Sequence, residues 1–201
     1  MSKYKDRFDE NYQKLVGQFL CDPTLHDNSK ELVEILDRHG VIRDGIHVFE
    51  IGSGGARNLK YINDYNPTVK LSANDLYRDA SFAEMDESIK AKINFYERDT
   101  VSLVRELLPE PVDVLIASDH LMHIDPESVA EIVNRIANKW SPNYILLREV
   151  KPNGHKVERQ FPRMCHTFDF GPLYQVIEEI DSRSTPHLYY VRLLKKNHPP
   201  T

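Results

Sequence analysis

The sequence predicts an α/β fold with a Rossmann-like, doubly wound and mostly parallel sheet that ends in a C-terminal antiparallel hairpin strand. Segments with helical and strand periodicity alternate up to residue 150. The strand-like segments are apolar on both faces, which is typical of parallel strands covered by helices on both sides. A glycine-rich stretch, 52–55, follows the first strand, at the position where doubly wound sheets bind ligands.

Five helices and five strands are predicted before the C-terminal tail. The helices are expected at 28–39, 56–65, 82–89, 101–108 and 126–140. The strands are expected at 47–51, 69–75, 93–96, 112–117 and 144–150. Asn28, followed three residues later by Glu31, can cap the first helix, and Gly40 suits its end. Asp125 and Pro126 open the last helix with a capping residue and then proline at the first helical position.

The C-terminal tail has a different composition. Residues 151–170 contain prolines, a glycine and mixed charge, which predicts a loop. The segments 175–181 and 187–194 are rich in strand-forming residues and are joined by SRSTP, which predicts a terminal hairpin. The first of these segments also fits a helix, because its apolar residues have helical spacing as well.

Composition and charge restrict the class of protein. The net charge of -5 at pH 7 argues against a protein held on nucleic acid by bulk electrostatics, although a local basic groove stays open. No apolar run approaches the roughly 18–20 residues that span a bilayer, and the polar N-terminus does not have the apolar core of a signal peptide. Cys21 and Cys165 are far apart; one disulfide between them is compatible with the sequence, but free thiols in a reducing compartment are the simpler interpretation. We therefore expect a cytoplasmic protein without a membrane partner.

Three classes of ligand compete for the glycine-rich turn. A phosphate-binding P-loop requires Gly-Lys-Ser/Thr, which the sequence does not contain, and a nicotinamide-type G-x-G-x-x-G fingerprint would place its third glycine on Arg57. Glu50 stands just before the glycines, where an acid suits a cationic ligand better than a pyrophosphate. S-adenosylmethionine carries an amino group and a sulfonium and has no phosphate. Asp75, at the end of the second strand, is placed to accept hydrogen bonds from ribose hydroxyls.

Four segments together resemble the motifs of class I S-adenosylmethionine-dependent methyltransferases. These segments are HVFEIGSGGARNL, SANDLY, ERDT and VDVLIASDHLMHIDPESV, and their order and spacing match that family over residues 45–150. Ala56 departs from the first motif of the family, E-x-G-x-G-x-G, because it replaces the third glycine. The length of 201 residues predicts a single domain, which with this resemblance is one methyltransferase domain over residues 1–201. Its parts are an N-terminal helical lead-in or lid (1–44), a cofactor-binding core (45–150), a substrate loop (151–174) and a terminal hairpin (175–201).

The resemblance also implies which residues bind S-adenosylmethionine. At the glycine turn they are Glu50, Gly52, Ser53 and Gly54. Around the ribose and the adenine they are Asp75, Leu76, Asp99 and Thr100, and at the end of the fourth strand Ser118. The first group would hold the methionine end of the cofactor, while Asp75 would bind the ribose and Leu76 would pack on the adenine.

Methyl transfer is an in-line displacement, so an enzyme positions the nucleophile and removes a proton where that is needed. The acceptor is expected beyond the ends of the fourth and fifth strands. His120 is the preferred general base, because histidine titrates near neutrality. His123 and Glu149 are the other catalytic candidates, although packing at the start of the next helix also explains His123. The stretch DHLMHID could also form a metal site, but nothing else supplies recognisable ligand spacing, so no metal is expected.

The segment REVKPNGHKVERQFPR has an excess of basic residues. His155, Lys156 and Arg159 are expected to bind the substrate there, which would then carry a carboxylate or a phosphate. A solvated loop explains these charges equally well. Residues 144–170 also resemble, more loosely, methylases associated with acidic-sugar (pseudaminic acid) biosynthesis, through a GHK-type loop followed by Phe-Asp-Phe. The expected partner is a small acidic or sugar-like acceptor, with RNA or protein methylation and a cofactor-binding module without catalysis as the alternatives.

Overall fold

The carboxyl ends of five parallel strands meet at one edge of the sheet, and this brings the predicted site together. The computed structural model describes residues 23–76, 82–83, 85–107, 110–151, 168–183 and 189–197. The strands are β1 (His47–Ile51), β2 (Lys70–Asp75), β3 (Ile93–Glu97), β4 (Val114–Ser118), β5 (Tyr144–Val150), β6 (Tyr174–Asp181) and β7 (Tyr189–Lys196). They form a seven-stranded sheet with the order β3-β2-β1-β4-β5-β7-β6.

The strand directions confirm the predicted fold class. β1 pairs in parallel with both β2 and β4, β2 pairs in parallel with β3, and β4 pairs in parallel with β5. β7 lies antiparallel between β5 and β6. The segment 175–181, for which helix and strand were both compatible with the sequence, is part of β6. The C-terminal antiparallel hairpin is therefore present as predicted.

The described helices form two layers, one on each face of the sheet. They are α1 (Pro23–Arg38), α2 (Arg57–Tyr65), α3 (Glu87–Lys90), α4 (Thr100–Glu106) and α5 (Pro126–Arg135). α1 and α2 bury Leu36 and Leu59 in one core, while α4 and α5 bury Leu103 and Ile132 in the other. Among the described helices, none combines the length and the apolar character needed to cross a membrane.

The helix ends agree with the capping signals in two places and differ in one. The prediction that Asn28 caps the first helix is wrong: α1 begins at Pro23, and Asn28 is buried inside the helix. Proline is pre-organised for the first helical position, so the helix can begin there without a capping side chain at Asn28. Gly40 follows the end of α1 with a left-handed φ of 61°, as predicted. Asp125 caps α5 by accepting a hydrogen bond from the backbone N–H of Ser128 over 2.9 Å, also as predicted.

Candidate functional site

The turn after β1 is built from residues with left-handed backbone conformation. Gly52, Gly54 and Ala56 have φ values of 65°, 52° and 55°. Such values favour glycine, because a Cβ atom strains the backbone there. A Cβ atom on Gly52 would also overlap the ring of His120, so this position admits only glycine. Ala56, the departure from the glycine motif, still adopts a conformation typical of glycine.

The carboxylate of Asp75 connects this turn to the end of β2. The backbone N–H of Gly54 donates to Oδ2 of Asp75 over 2.7 Å, and the backbone N–H of Leu76 donates to Oδ1 over 2.6 Å. The backbone N–H of Ser53 donates to the carbonyl of Asn74 over 2.9 Å. The backbone donors therefore fix the orientation of the Asp75 carboxylate. Each carboxylate oxygen offers more than one acceptor position, which is the chemistry that ribose hydroxyls require.

Glu50 is buried at the end of β1, and its two carboxylate oxygens differ. Asn58 Nδ2 donates to Oε1 of Glu50 over 2.6 Å, and the hydroxyl of Ser29 donates to Oδ1 of Asn58 over 2.7 Å. Oε2 of Glu50 is buried without a hydrogen-bond partner among the described residues, as is the hydroxyl oxygen of Ser53. Asn58 and Ser29 were not predicted as site residues. The glycine turn thus presents two buried polar atoms that can form hydrogen bonds with a ligand.

The electrostatic environment of Glu50 also favours a cationic ligand. Burial raises the pKa of Glu50 to about 8, while the hydrogen bond from Asn58 and the charge of Arg57 oppose this rise and the charge of Asp75 adds to it. A buried carboxylate of this kind becomes more stable when a positive charge approaches. The end of β1 is therefore suited to the amino group of a ligand rather than to a phosphate.

A chain of hydrogen bonds fixes the orientation of His120. Asn74 donates its two amide protons to the backbone carbonyls of Tyr96, over 3.0 Å, and Arg98, over 2.6 Å, so its Oδ1 faces Thr100. The hydroxyl of Thr100 donates to this oxygen over 2.8 Å and therefore accepts from Nε2 of His120 over 2.7 Å. His120 consequently carries its proton on Nε2. Its other nitrogen, Nδ1, is an acceptor that lies against the glycine turn.

Both predicted catalytic histidines are neutral near pH 7. Burial lowers the pKa of His120 to about 4. Burial, together with the charge of His120, lowers the pKa of His123 to about 4, and the charge of Asp75 opposes this only in part. His123 is the last residue of a short 3₁₀ helix, Leu121–His123, that precedes the cap of α5. The catalytic roles of the two histidines stay predictions.

Glu149, the third catalytic candidate, is fully buried in β5. Oε1 accepts a hydrogen bond from the backbone N–H of Leu121 over 3.0 Å, and Oε2 accepts one from the backbone N–H of Met122 over 3.3 Å. Burial raises the pKa of Glu149 to about 8, with the charge of Asp119 adding to the rise and the backbone donors opposing it. The side chain of Glu149 holds the turn after β4, and a catalytic role for it stays a prediction.

The remaining predicted cofactor residues lie at the same edge of the sheet. Asp99 caps α4 by accepting a hydrogen bond from the backbone N–H of Ser102 over 2.9 Å. Thr100 is buried, and its hydroxyl belongs to the chain of hydrogen bonds that ends at His120. Leu76 and Ser118 are partly exposed at the ends of β2 and β4. The predicted cofactor residues therefore lie at or just after the ends of four neighbouring strands, on one edge of the sheet.

An ion pair between Asp119 and Arg148 lies at the ends of β4 and β5 and was not predicted as a functional pair. Nη1 of Arg148 contacts Oδ2 of Asp119, and the Arg148 guanidinium lies over the ring of Tyr189, 4.4 Å from its centroid. Asp119 has a left-handed φ of 55°. The signal in the sequence is a charged residue at the end of each of two neighbouring apolar strands, in VDVLIASD and YILLRE.

Some predicted residues cannot be compared with the structure. His155, Lys156 and Arg159, predicted to bind the substrate, lie outside the described residues, as does the segment FDENYQKL of the predicted lid. In the part of the chain that the structure describes, no group of three or more His, Cys, Asp or Glu side chains is arranged to hold a metal ion.

Comparison with known proteins shows similarity at the level of structure. No protein-family model matches the sequence, and no curated protein sequence is significantly similar to it. The structure resembles N-methyltransferase NodS from Bradyrhizobium japonicum WM9 in complex with S-adenosyl-l-homocysteine, with a TM-score of 0.66 and 10% identity, over 89% of this chain and 90% of that chain. It also resembles 1,6-didemethyltoxoflavin-N1-methyltransferase from Burkholderia thailandensis, with a TM-score of 0.67 and 14% identity, over 96% of this chain and 87% of that chain.

A third solved structure gives the same result. Magnesium protoporphyrin IX methyltransferase (ChlM) from Synechocystis PCC 6803, with bound S-adenosylmethionine, has a TM-score of 0.60 and 12% identity, over 86% of this chain and 80% of that chain. At these identities the similarity establishes the fold, which is the Rossmann-like fold of class I methyltransferases. The fold expected from the four sequence motifs is therefore confirmed.

Proposed function

We propose that this chain is an S-adenosylmethionine-dependent methyltransferase that acts on a small, anionic or sugar-like acceptor by in-line methyl transfer. The observation that carries the proposal is the pair of acids, Glu50 and Asp75, on neighbouring strand ends on either side of a glycine turn. Glu50 has a buried oxygen without a partner, and Asp75 is oriented by two backbone N–H groups. This arrangement suits a ligand with a cationic end and neighbouring hydroxyls.

The residues at the strand ends fit the parts of this cofactor in turn. When bound, S-adenosylmethionine supplies a methyl group that its sulfonium activates. Glu50 would accept a hydrogen bond from the amino group, and the hydroxyl of Ser53, also buried without a partner among the described residues, would bind the same end. Asp75 would bind the ribose, and Asp99 and Thr100 would lie at the edge of the adenine. The neighbours solved with S-adenosyl-l-homocysteine or S-adenosylmethionine support this cofactor.

The three predicted catalytic residues have different parts in the proposed reaction. His120 presents an unprotonated Nδ1 at the glycine turn, where it can accept a hydrogen bond from the cofactor or the acceptor. Its pKa of about 4 makes it a weak proton acceptor near neutral pH. Glu149 would fix the position of the chain after β4 through its hydrogen bonds to the backbone. His123, which lies in the same turn, would contribute to this by its packing.

The proposed acceptor class rests on the sequence and on the neighbours. The basic residues His155, Lys156 and Arg159 favour a carboxylate or a phosphate on the acceptor, and the loose resemblance to acidic-sugar methylases points to the same chemistry. Two neighbours are named after small molecules, 1,6-didemethyltoxoflavin and magnesium protoporphyrin IX, which supports a small acceptor. On the sequence features given above, we extend the proposal to one methyltransferase domain over 1–201 in the cytoplasm.

Calorimetric titration tests the cofactor. The purified chain is titrated with S-adenosylmethionine and, separately, with S-adenosylhomocysteine. Micromolar binding, a free energy of about −8 kcal/mol, is expected for both compounds. A chain that is folded by circular dichroism and binds neither compound would contradict the proposed function.

Transfer itself is measured with methyl-labelled S-adenosylmethionine. The acceptors are 4-hydroxybenzoate, 4-aminobenzoate and glucuronate, which carry a hydroxyl or an amine together with a carboxylate. Label transferred to any of them supports a small anionic acceptor. Tight cofactor binding with transfer only to RNA would favour the RNA methyltransferase alternative instead.

A further inference from the structure

Asp119 stands between the glycine turn and the end of β5. β4 pairs with β1 on one side and with β5 on the other. The backbone N–H of Asp119, the first residue after β4, donates to the carbonyl of Arg148 over 2.8 Å, so the ladder extends by one residue before the chain turns. The φ of Asp119 is 55°, a left-handed conformation that aspartate adopts more often than most non-glycine residues do. The side chain therefore lies between two parts of this edge of the sheet: the cofactor half, at the ends of β3, β2 and β1, and the acceptor half, at the ends of β4 and β5.

The two carboxylate oxygens of Asp119 have different surroundings. Oδ2 is paired with Arg148, whose side chain is only 3% exposed and lies over Tyr189. Oδ1 is buried and has no hydrogen-bond partner among the described residues. A buried carboxylate oxygen without a donor is energetically unfavourable. The arginine thus holds the carboxylate in one orientation, with one oxygen left for a donor from a ligand.

Resting on the proposed methyltransferase function, we propose that Asp119 is a further catalytic residue whose Oδ1 accepts the hydrogen of the methyl acceptor. In the transfer step, the acceptor nitrogen or oxygen forms a bond to the methyl carbon. The bond between that carbon and sulfur breaks, and its electron pair stays on sulfur. The proton leaves the acceptor for Oδ1 of Asp119 and passes from there to solvent. The acceptor is accordingly an amine or a hydroxyl compound with a hydrogen to lose.

The charges around Asp119 are compatible with this role. Burial raises the pKa of Asp119 to about 6, and the positive charges of Arg148 and Arg57 oppose the rise. Glu149 and Tyr189 are the other titratable groups that interact with its charge. A carboxylate with such a pKa is ionised near neutral pH and accepts a proton more readily than an ordinary aspartate.

Glu50 distinguishes this role from cofactor binding. Its own partnerless oxygen lies at the glycine turn, so the amino group of the cofactor has an acceptor that does not involve Asp119. Removing the charge of Asp119 should therefore affect the transfer step and leave the affinity for S-adenosylhomocysteine unchanged.

The test is Asp119→Asn, with Asp113→Asn as the matched control. Asp113 lies beyond the opposite end of β4 and accepts a hydrogen bond from the backbone N–H of His47 over 3.0 Å. Asparagine keeps the shape of aspartate and can still bond to Arg148, but it cannot take up a proton. With 4-hydroxybenzoate, 4-aminobenzoate and glucuronate as acceptors, kcat should fall by about 100-fold or more in Asp119→Asn. The control should retain its kcat, and both variants should keep the wild-type Kd for S-adenosylhomocysteine.

The outcomes separate the possible assignments. An unchanged kcat in Asp119→Asn would overturn the catalytic role. A raised Kd for S-adenosylhomocysteine with an unchanged kcat would assign Asp119 to the cofactor and also overturn it. Failure of the wild-type chain to bind S-adenosylhomocysteine would instead contradict the proposed function, which is a different result.

A second measurement uses the wild-type protein, because Asp119→Asn removes the counter-charge of Arg148 and a loss of stability would lower kcat by itself. The carboxyl carbon of Asp119 is titrated by carbon-13 NMR, with and without S-adenosylhomocysteine. A raised pKa that persists in the complex is expected, because the oxygen then stays available for the acceptor. A fall to the ordinary aspartate range of about 4 on binding would show that the cofactor amino group occupies Oδ1, and would overturn the inference.

Discussion

Two glutamates at the same edge of the sheet, Glu50 in β1 and Glu149 in β5, share their burial but differ in their partners. Both are at most 1% exposed, and burial raises the pKa of each to about 8. Both oxygens of Glu149 accept backbone N–H groups, from Leu121 and Met122. Glu50 accepts one hydrogen bond, from Asn58, and keeps one buried oxygen without a partner among the described residues.

This difference shows that burial and a raised pKa do not by themselves identify a functional carboxylate. The pKa of a buried acid can be raised in a purely structural network of hydrogen bonds and charges, just as it can in an active site. The hydrogen bonds of Glu149 satisfy its carboxylate and fix the chain after β4, which is a structural task. Glu50 keeps one buried oxygen without a hydrogen-bond partner among the described residues, and that oxygen can accept a hydrogen bond from a ligand. The contrast therefore predicts opposite consequences for substitutions at the two positions.

Glu149→Ala should have the largest effect, and the effect should be on stability. We expect a decrease of about 3 kcal/mol in the free energy of unfolding, because two buried backbone N–H groups lose their acceptor. Urea denaturation followed by circular dichroism measures this quantity. Glu127→Ala, at an exposed position in the first turn of α5, is the control and should change stability by less than about 0.5 kcal/mol. If the free energy of unfolding fell no more than in the control, Glu149 would not have the proposed structural role.

Glu50→Gln should affect binding instead. The affinity for S-adenosylmethionine should fall roughly 10- to 100-fold, the effect of losing one charge-assisted hydrogen bond. The free energy of unfolding should change by less than about 1 kcal/mol, since the substitution alters only the bond from Asn58. Calorimetry and urea denaturation measure the two quantities, with Glu34→Gln on the exposed side of α1 as the control. Retained affinity together with a large loss of stability would place Glu50 in the same class as Glu149.

The pH dependence of binding should also differ between wild type and Glu50→Gln. Because burial raises the pKa of Glu50 to about 8, this group holds a proton in the free protein below that pH. A cationic ligand requires the ionised carboxylate, so binding releases the proton and becomes tighter as pH rises towards 8. The Kd for S-adenosylmethionine should fall by up to about tenfold per pH unit in that range, and the fall should end near pH 8, where the amino group of the cofactor, with an α-amino pKa of about 8, begins to lose its own proton.

Calorimetric titrations from about pH 6 to about pH 9, on either side of the raised pKa, measure this dependence. The amino group of the cofactor itself titrates identically with both proteins, so the difference between wild type and Glu50→Gln belongs to Glu50. An identical pH profile for the two proteins would show that Glu50 does not exchange a proton when the cofactor binds.

The parts of the fold and site that the sequence predicts are those encoded by local patterns. The alternation of helices and strands predicted the parallel sheet and the hairpin, because each element carries its own periodicity. Glu50 and Asp75 were identified because each is an acid at the end of an apolar strand. Glu50 lies just before the glycine turn, and Asp75 ends the strand that follows. The start of α1 was misplaced because Asn28 has the chemistry of a cap, while Pro23 also opens a helix.

The parts that the sequence does not predict depend on contacts between distant segments. Ser29 of α1 bonds to Asn58 of α2, which in turn bonds to Glu50, only because α1 and α2 pack on the same face of the sheet. Asp119 meets Arg148 because β4 and β5 pair in a register that no spacing in the sequence specifies. Such pairs have no local motif. The residues of the acceptor half are therefore harder to predict from the sequence than those of the cofactor half.

Ala56→Gly should have the smallest effect, because opposing contributions nearly cancel. Ala56 has a left-handed φ of 55° and is fully buried in the same core as Ala73 of β2. Glycine at position 56 would relieve roughly 1.5 kcal/mol of backbone strain, and it would lose about 0.8 kcal/mol from the buried methyl group and about 0.7 kcal/mol through the greater entropy of the unfolded chain. We therefore expect a change in the free energy of unfolding of less than about 0.5 kcal/mol.

Ala73→Gly is the matched control, because Ala73 is equally buried but lies in a regular strand. It loses its methyl group and gains unfolded-state entropy without any relief of strain, so it should destabilise the fold by about 1 to 2 kcal/mol. The difference between the two variants in urea denaturation measures the strain at Ala56. Equal destabilisation by the two variants would mean that the glycine turn is not strained at Ala56 in solution. Ala56 would then not have the left-handed conformation described above.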